Sequence, residues 1–190
     1  MFRDTVRRFA KEQVAPWVRE MDEQGMFRKE LLEKFFALGL MAIDIPEQYG
    51  GQGGRFFQSV LAVEEMAAVD PSAAVIIDVQ NTLVSNAVQR WASEEQKGRY
   101  LPKLAADTVG AYALSEAGSG SDAFALATRA VEDGEAYVLT GRKLWITNAA
   151  EAGLYLVFAN VNPEAGYRGI TCFLVERGMA GFAVGKKEDK

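Results

Sequence analysis

The chain has 190 residues and no histidine. That absence excludes Ser-His and Cys-His nucleophilic machinery and every His-ligated metal site. There is one cysteine, Cys172, so neither an internal disulfide nor a cysteine zinc cluster can form. Proton chemistry must therefore use Asp, Glu, Lys or Tyr, or be supplied from outside the chain. Positive charge is also in deficit. Lys and Arg number 21 against 26 Asp and Glu, a net charge of -5. This argues against a nucleic-acid backbone or an anionic membrane as the main partner. No apolar run approaches the ~20 residues of a membrane-spanning helix. The start, "MFRDTVRRFAKEQ", is amphipathic from its first residues and lacks the apolar stretch of a secretory signal. It is basic like a transit peptide, yet it carries Asp4 and Glu12, which such peptides avoid.

What remains is an ordinary globular balance, 49% hydrophobic and 25% charged. The length suits one large domain or two small ones and can bury a real core. The first half repeats with helical period. Phe2, Val6, Phe9, Gln13/Val14, Trp17 and Met21 recur every three or four residues, and Pro16 predicts a kink or a join. "RKELLEKFFALGL" predicts a second helix with Leu31, Leu32, Phe35, Phe36 and Leu38 on its buried side, capped by Gly39. "IPEQYGGQGG" must be irregular. "FFQSVLAVEEMAAVD" is helical, Asp70-Pro71-Ser72 stops it and starts the next helix, and Ser93-Glu-Glu-Gln96 is a capping box for another. Glu64 and Glu65 read as one solvated and one paired or capping residue.

After Asp107 the period changes to that of strands. "RAVEDGEAYVLTGRKLWIT" turns at Asp133-Gly134 and at Thr140-Gly141. The strand-like run ends in Leu144-Trp145-Ile146-Thr147-Asn148, and alternation places Lys143 with exposed residues. "LYLVFANV", "GITCFLVE" and the short "GFAVG" read as further strands. Helices first and antiparallel strands second predict an α+β chain, with a helical domain over 1–107 and a β domain over 108–190. The end, "GKKEDK", reads as a solvated charged tail.

The segment "YALSEAGSGSD", Tyr112 to Asp122, fits neither element. Gly118-x-Gly120-x-x-Ala123 matches the letters of a dinucleotide fingerprint, but no helix and second parallel strand follow, so that reading is rejected. A loop of glycines and serines is most often a surface turn. It also offers N–H groups and hydroxyls with little bulk, which lets a backbone approach a flat or phosphorylated ligand. Glu116 and Asp122 could serve as a general base, but an acid in such a loop more often bonds backbone N–H groups.

Taken in order, "IPEQYGGQGG", "VEEMAAVDPSAA", "QRWASEEQKGRYLPKLA", "YALSEAGSGSD", "YVLTGRKLWITNA" and "GYRGITCFLVE" resemble the acyl-CoA dehydrogenase family, the short- and branched-chain members above all. The resemblance covers essentially the whole chain. It implies an all-α N-terminal domain and an antiparallel β-barrel-like middle domain, here truncated, with the family's C-terminal four-helix bundle absent. It implies FAD as cofactor. Tyr112, Ala113, Leu114, Ser115, Glu116, Ala117, Gly118, Ser119, Gly120 and Ser121 would run along the flavin and its pyrophosphate. Trp145, Ile146 and Thr147 would lie over the ring on the face away from substrate. Ser121 and Tyr167 would contact the acyl-CoA, and "IIDVQNTLVSNAV" would face the acyl pocket.

The implied reaction removes the α proton of an acyl-CoA with a carboxylate while hydride leaves the β carbon for flavin N5, giving the trans-2-enoyl-CoA. The family's catalytic glutamate lies beyond residue 190, so none of these residues is assigned as catalytic. The family passes electrons to an electron-transferring flavoprotein and assembles as a homotetramer. The chain is accordingly read as a fragment, inactive and aggregation-prone alone. The alternatives are a non-catalytic FAD or acyl-CoA-binding module completed by a partner chain, and an acyl-CoA oxidase or flavin monooxygenase of the same architecture. The compartment would be a bacterial cytoplasm or a mitochondrial matrix.

Overall fold

Helix boundaries in the first half follow local chemistry. In the computed structural model, which describes residues 1–187, Phe2–Phe9 form α1 and Val18–Gln24 form α2. Between them lie a wide π turn, Ala10–Val14, and a tight 3-10 turn at Ala15–Trp17 that accommodates Pro16. The expected join at the proline is therefore present. Helix α3, Lys29–Ala37, buries Leu31, Leu32 and Phe35 and ends before Gly39, whose φ of 76° is left-handed. Phe36 is half-buried, and Leu38, expected inside, is exposed because the helix has already ended there.

Helix α4, Phe56–Ala67, leads to Asp70, whose carboxylate accepts the N–H groups of Ser72 at 2.7 Å and Ala73 at 3.2 Å. This caps α5, Pro71–Asp78, with proline in the first turn. A π segment, Val79–Ser85, continues into α6, Asn86–Trp91. The Ser93 capping box opens α7, Glu94–Ala106. Helices α1, α4 and α5 pack in succession. Phe35, Met66, Ile77, Leu101 and Leu104 are fully buried, each stabilising the unit by on the order of 1.5–3 kcal/mol. Asn81 pins the irregular segment to this core: its Oδ1 accepts from Ile43 N–H at 2.9 Å, and its Nδ2 donates to the Leu40 carbonyl at 2.8 Å.

The chain divides into two compact units, Met1–Val109 and the residues from Gly110 onward. The second unit is a sheet. Its strands are β1, Gly110–Ala113; β2, Arg129–Asp133; β3, Ala136–Thr140; β4, Leu154–Asn160; and β5, Ile170–Glu176. The near-continuous apolar run of β4 fits its central place. On one edge β5 pairs with it antiparallel, from Leu154↔Glu176 to Asn160↔Ile170. On the other, β1 pairs with it parallel, Gly110↔Leu154 to Ala113↔Val157, and β2 joins at Arg129↔Asn160. The β2–β3 hairpin turns at Gly134, φ 61°.

The helical-then-sheet α+β class holds, and the sheet is mixed rather than purely antiparallel. A parallel pair needs a long crossover, and residues 114–153 between β1 and β4 provide one. Two stretches expected as strands are not. The "GFAVG" stretch follows left-handed turns at Gly178 and Gly181, and Phe182 packs on Tyr155 with ring centroids 4.5 Å apart. The Leu144–Thr147 stretch is irregular. Of the charged end, Gly185–Lys187 is exposed, and residues 188–190 lie outside the described residues.

Candidate functional site

The crossover carries two irregular strips. The first begins where β1 ends. Tyr112 is half-buried with its ring 4.8 Å from that of Phe158, Ala113 is buried, and Leu114 and Ser115 are half-buried. Glu116 and Ser119 then exchange both backbone hydrogen bonds, 2.9 and 3.1 Å, which makes Glu116-Ala117-Gly118-Ser119 a closed turn. Ser119 is 1% exposed, and its hydroxyl donates to the Asp122 carbonyl at 2.9 Å. Ala117, Gly118, Gly120, Ser121 and Asp122 are exposed. Neither Gly118 nor Gly120 has positive φ, and a Cβ on either would meet nothing within 4 Å. Neither backbone conformation nor internal packing therefore requires glycine at these two places.

The second strip is Trp145-Ile146-Thr147. Trp145 has φ 59° and Asn148 φ 66°. For a bulky residue such as Trp145 this conformation costs energy, and such residues cluster at functional sites. Trp145 is 56% exposed, and Thr147 is exposed. The strip is held at its C-terminal end by Asn148 Nδ2, which donates to the Gly110 carbonyl at 3.2 Å. Beyond it, Arg177 donates to the carbonyls of Ala149, Ala150 and Ala152, and the Tyr155 hydroxyl, with its one proton, lies within hydrogen-bond distance of the Ala149 and Ala152 carbonyls.

A buried ion pair holds the N-terminal end. Lys143 Nζ lies 2.7 Å from Glu116 Oε1, with side-chain exposures of 9% and 7%. The same ammonium donates to the Leu114 carbonyl at 3.0 Å. Glu116 also accepts from Ala127 N–H at 2.6 Å, Thr128 N–H at 3.1 Å and the Thr128 hydroxyl. Burial pushes the Glu116 carboxyl up, but the Lys143, Thr128 and Ala127 donors outweigh it and hold the group down at about 2. Leu144 N–H donates to the Ser115 carbonyl at 2.9 Å, so the two strips meet there. Gly141 packs so closely on Thr128 that a Cβ there would collide with its side chain.

These contacts correct two expectations. The Lys143 side chain is 9% exposed and not solvated, because β3 ends at Thr140 and the alternation that put Lys143 outside does not continue through the irregular residues after it. Glu116 bonds backbone N–H groups as a loop acid does, although they lie 11 and 12 residues away instead of next to it. An acid ionised this firmly is a poor proton acceptor. Glu64 and Glu65 behave as expected: Glu64 is exposed, and Glu65 is buried and paired with Arg3 and Arg7.

The last site residue, Tyr167, lies in the 3-10 segment Pro163–Gly169. Its exposed ring stacks on exposed Phe124, centroids 5.3 Å apart, with the Arg168 guanidinium 5.7 Å from the Tyr167 ring. Sequence reasoning did not single out Phe124. Its signal was an apolar aromatic inside a polar Gly/Ser loop. Among the described residues, no group of histidine, cysteine and carboxylates could hold a metal ion, and no helix is long and apolar enough to cross a membrane.

Comparison with known proteins agrees with this architecture. The acyl-CoA dehydrogenase N-terminal domain family matches residues 1–108, and the acyl-CoA dehydrogenase middle domain family matches residues 111–190. The chain belongs to the acyl-CoA dehydrogenase family. All of it aligns at 53% identity with 46% of the probable short/branched chain specific acyl-CoA dehydrogenase of Dictyostelium discoideum. Among solved structures it superposes on 51% of butyryl-CoA dehydrogenase from Megasphaera elsdenii, with a TM-score of 0.95 and 36% identity over the whole of this chain. It also superposes on 48% of a glutaryl-CoA dehydrogenase from Mycobacterium smegmatis in complex with FADH2, with a TM-score of 0.91 and 33% identity. The chain thus spans about half the length of the relatives it matches.

Proposed function

We propose that this chain carries the flavin-facing portion of an FAD-dependent acyl-CoA dehydrogenase acting on a short or branched acyl-CoA. The observation that carries the reading is the meeting of two irregular strips, Tyr112–Ser121 and Trp145–Thr147, at the Leu144–Ser115 hydrogen bond. The donor set fits a flavin, which is large, flat and recognised by a few hydrogen bonds at its nitrogens and carbonyls. Gly118 and Gly120 leave open an approach that any larger side chain would obstruct. The exposed indole of Trp145 and hydroxyl of Thr147 give an aromatic surface and a single donor. When bound, FAD supplies a hydride acceptor for the substrate's β carbon. The similarity to a protein solved with FADH2 supports the same assignment.

The other roles follow from the resemblance to the family, and the exposure of these residues is compatible with them. Ser121 is assigned to the acyl-CoA thioester end and Tyr167, stacked on Phe124, to the CoA portion; both aromatic rings are exposed and apolar on one face. No carboxylate described above is assigned as the base for the α proton. Glu116 and Glu65, each held at about 2, accept protons too weakly for that work, and it is the family resemblance that gives the role to a carboxylate outside these residues. Transfer of electrons to an electron-transferring flavoprotein and assembly as a homotetramer belong to the same proposal. The compartment that goes with it is a bacterial cytoplasm or a mitochondrial matrix.

The test uses the natural protein containing this sequence, purified, saturated with FAD and freed of unbound cofactor. Anaerobic addition of butanoyl-CoA or a methyl-branched short acyl-CoA is expected to bleach the flavin band. Failure to retain FAD, or a retained flavin that no such acyl-CoA bleaches, would refute the reading.

A further inference from the structure

We infer that Glu116 and Lys143 are positioning residues, a neutral buried pair that fixes the glycine loop and the Trp145–Thr147 strip at the separation one flavin needs. The inference rests on the flavin reading above. Its basis is connectivity. The cluster gathers three segments that share no strand ladder: Leu114 to Glu116, Ala127 to Thr128, and Lys143 to Leu144. Lys143 Nζ bonds the Leu114 carbonyl and the Glu116 carboxylate together, so one ammonium spans both sides of the glycine loop's start. Leu144 N–H to Ser115 O is a further hydrogen bond between the two segments.

A stability role explains the pair poorly. Taking two charges out of water is expensive, and apolar replacements of buried pairs are often neutral or stabilising. A residue kept in spite of that cost is better explained by geometry. The choice of lysine fits as well. Its ammonium is a compact charge on a flexible stem and bonds divergent acceptors, whereas an arginine fork suits one planar partner. Because the pair is neutral as a unit, it orders the strips without adding net charge beside the cofactor. Trp145, whose backbone is left-handed, lies between this anchor and the one formed by Asn148 and Arg177.

The deciding variant is Glu116→Gln with Lys143→Gln, which removes both charges and leaves none buried alone. It is made in the natural protein containing these residues. FAD affinity is measured by titration, the bound flavin's visible circular dichroism is recorded, and the apoprotein is unfolded in urea. The double variant is expected to fold, to bind FAD more weakly by about tenfold or more, and to show an altered flavin dichroism. Unchanged affinity and dichroism would overturn the inference while leaving the flavin reading intact. A parent protein that binds no FAD would instead refute the flavin reading itself. If the double variant does not fold, Lys143→Arg decides, since it keeps the charge and changes the reach. A folded Lys143→Arg protein with unchanged FAD affinity and dichroism overturns the inference, and a shifted dichroism supports it.

Discussion

Two glutamates, one in each unit, are held ionised down to about 2, and they achieve it by different means. Glu65 on α4 receives Arg7 at 2.7 and 2.8 Å and also Arg3, both from α1. The arginine side chains remain 45% exposed. This is a fork-to-carboxylate clasp between two helices that already pack through apolar faces. Glu116 has no arginine. It combines one buried lysine with a hydroxyl and two backbone N–H groups, and every partner comes from a loop. Where packing already sets the geometry, an ion pair at the rim is an addition. Where loops must be set with no ladder between them, buried polar contacts set the geometry themselves.

The contrast can be broken most strongly at Lys143. Lys143→Gln alone strands the Glu116 charge and is expected to destabilise the sheet unit by about 3–5 kcal/mol, read from urea unfolding. Glu65→Gln should lower stability less in the same assay, because water can solvate the half-exposed arginines it leaves. A similar loss on both substitutions would erase the distinction. Next is Gly141→Ala, whose Cβ meets the Thr128 side chain. Overpacking of this kind should cost about 1–3 kcal/mol and loosen the Glu116 cluster with it. In the helical unit, Asp70→Ala removes a cap with two N–H partners and should cost about 1 kcal/mol by thermal unfolding.

Acid sharpens the comparison further. Both carboxyls titrate at about 2 instead of their usual 4.5, so the stability they contribute is complete above about pH 4.5 and is lost as pH falls toward 2. Unfolding measured stepwise across that window should lose part of its slope in the Glu116→Gln, Lys143→Gln variant. An unchanged slope would mean that Glu116 is not the group described.

Local features could be read from the sequence, because the residues that cause them are adjacent. The Asp70-Pro71 start, the Ser93 capping box and the Asp133-Gly134 hairpin each form within a few residues. The two candidate strips were also visible, as clusters that break the surrounding periods. What joins them was not. The parallel β1–β4 pairing and the Glu116–Lys143 contact span residues 27 or more apart, and no period encodes such distances. Trp145 misled for a related reason. Apolar aromatic composition is strand-like, but its backbone is left-handed and lies between polar anchors at Lys143, Asn148 and Arg177. Lys143 misled because the strand ends at Thr140, so alternation no longer sets its side.

The central claim is that Gly118 and Gly120 are small for the sake of a ligand and not for the fold. Gly118→Val and Gly120→Val test it in the natural protein by FAD titration alongside urea unfolding of the apoprotein. Both positions lack positive φ, and neither has a neighbour within 4 Å of a built Cβ. The apoprotein should therefore keep its stability within about 0.5 kcal/mol, while FAD binding falls sharply. Unchanged FAD affinity in either variant would contradict the account at that position, and in both it would mean the cradle is not there.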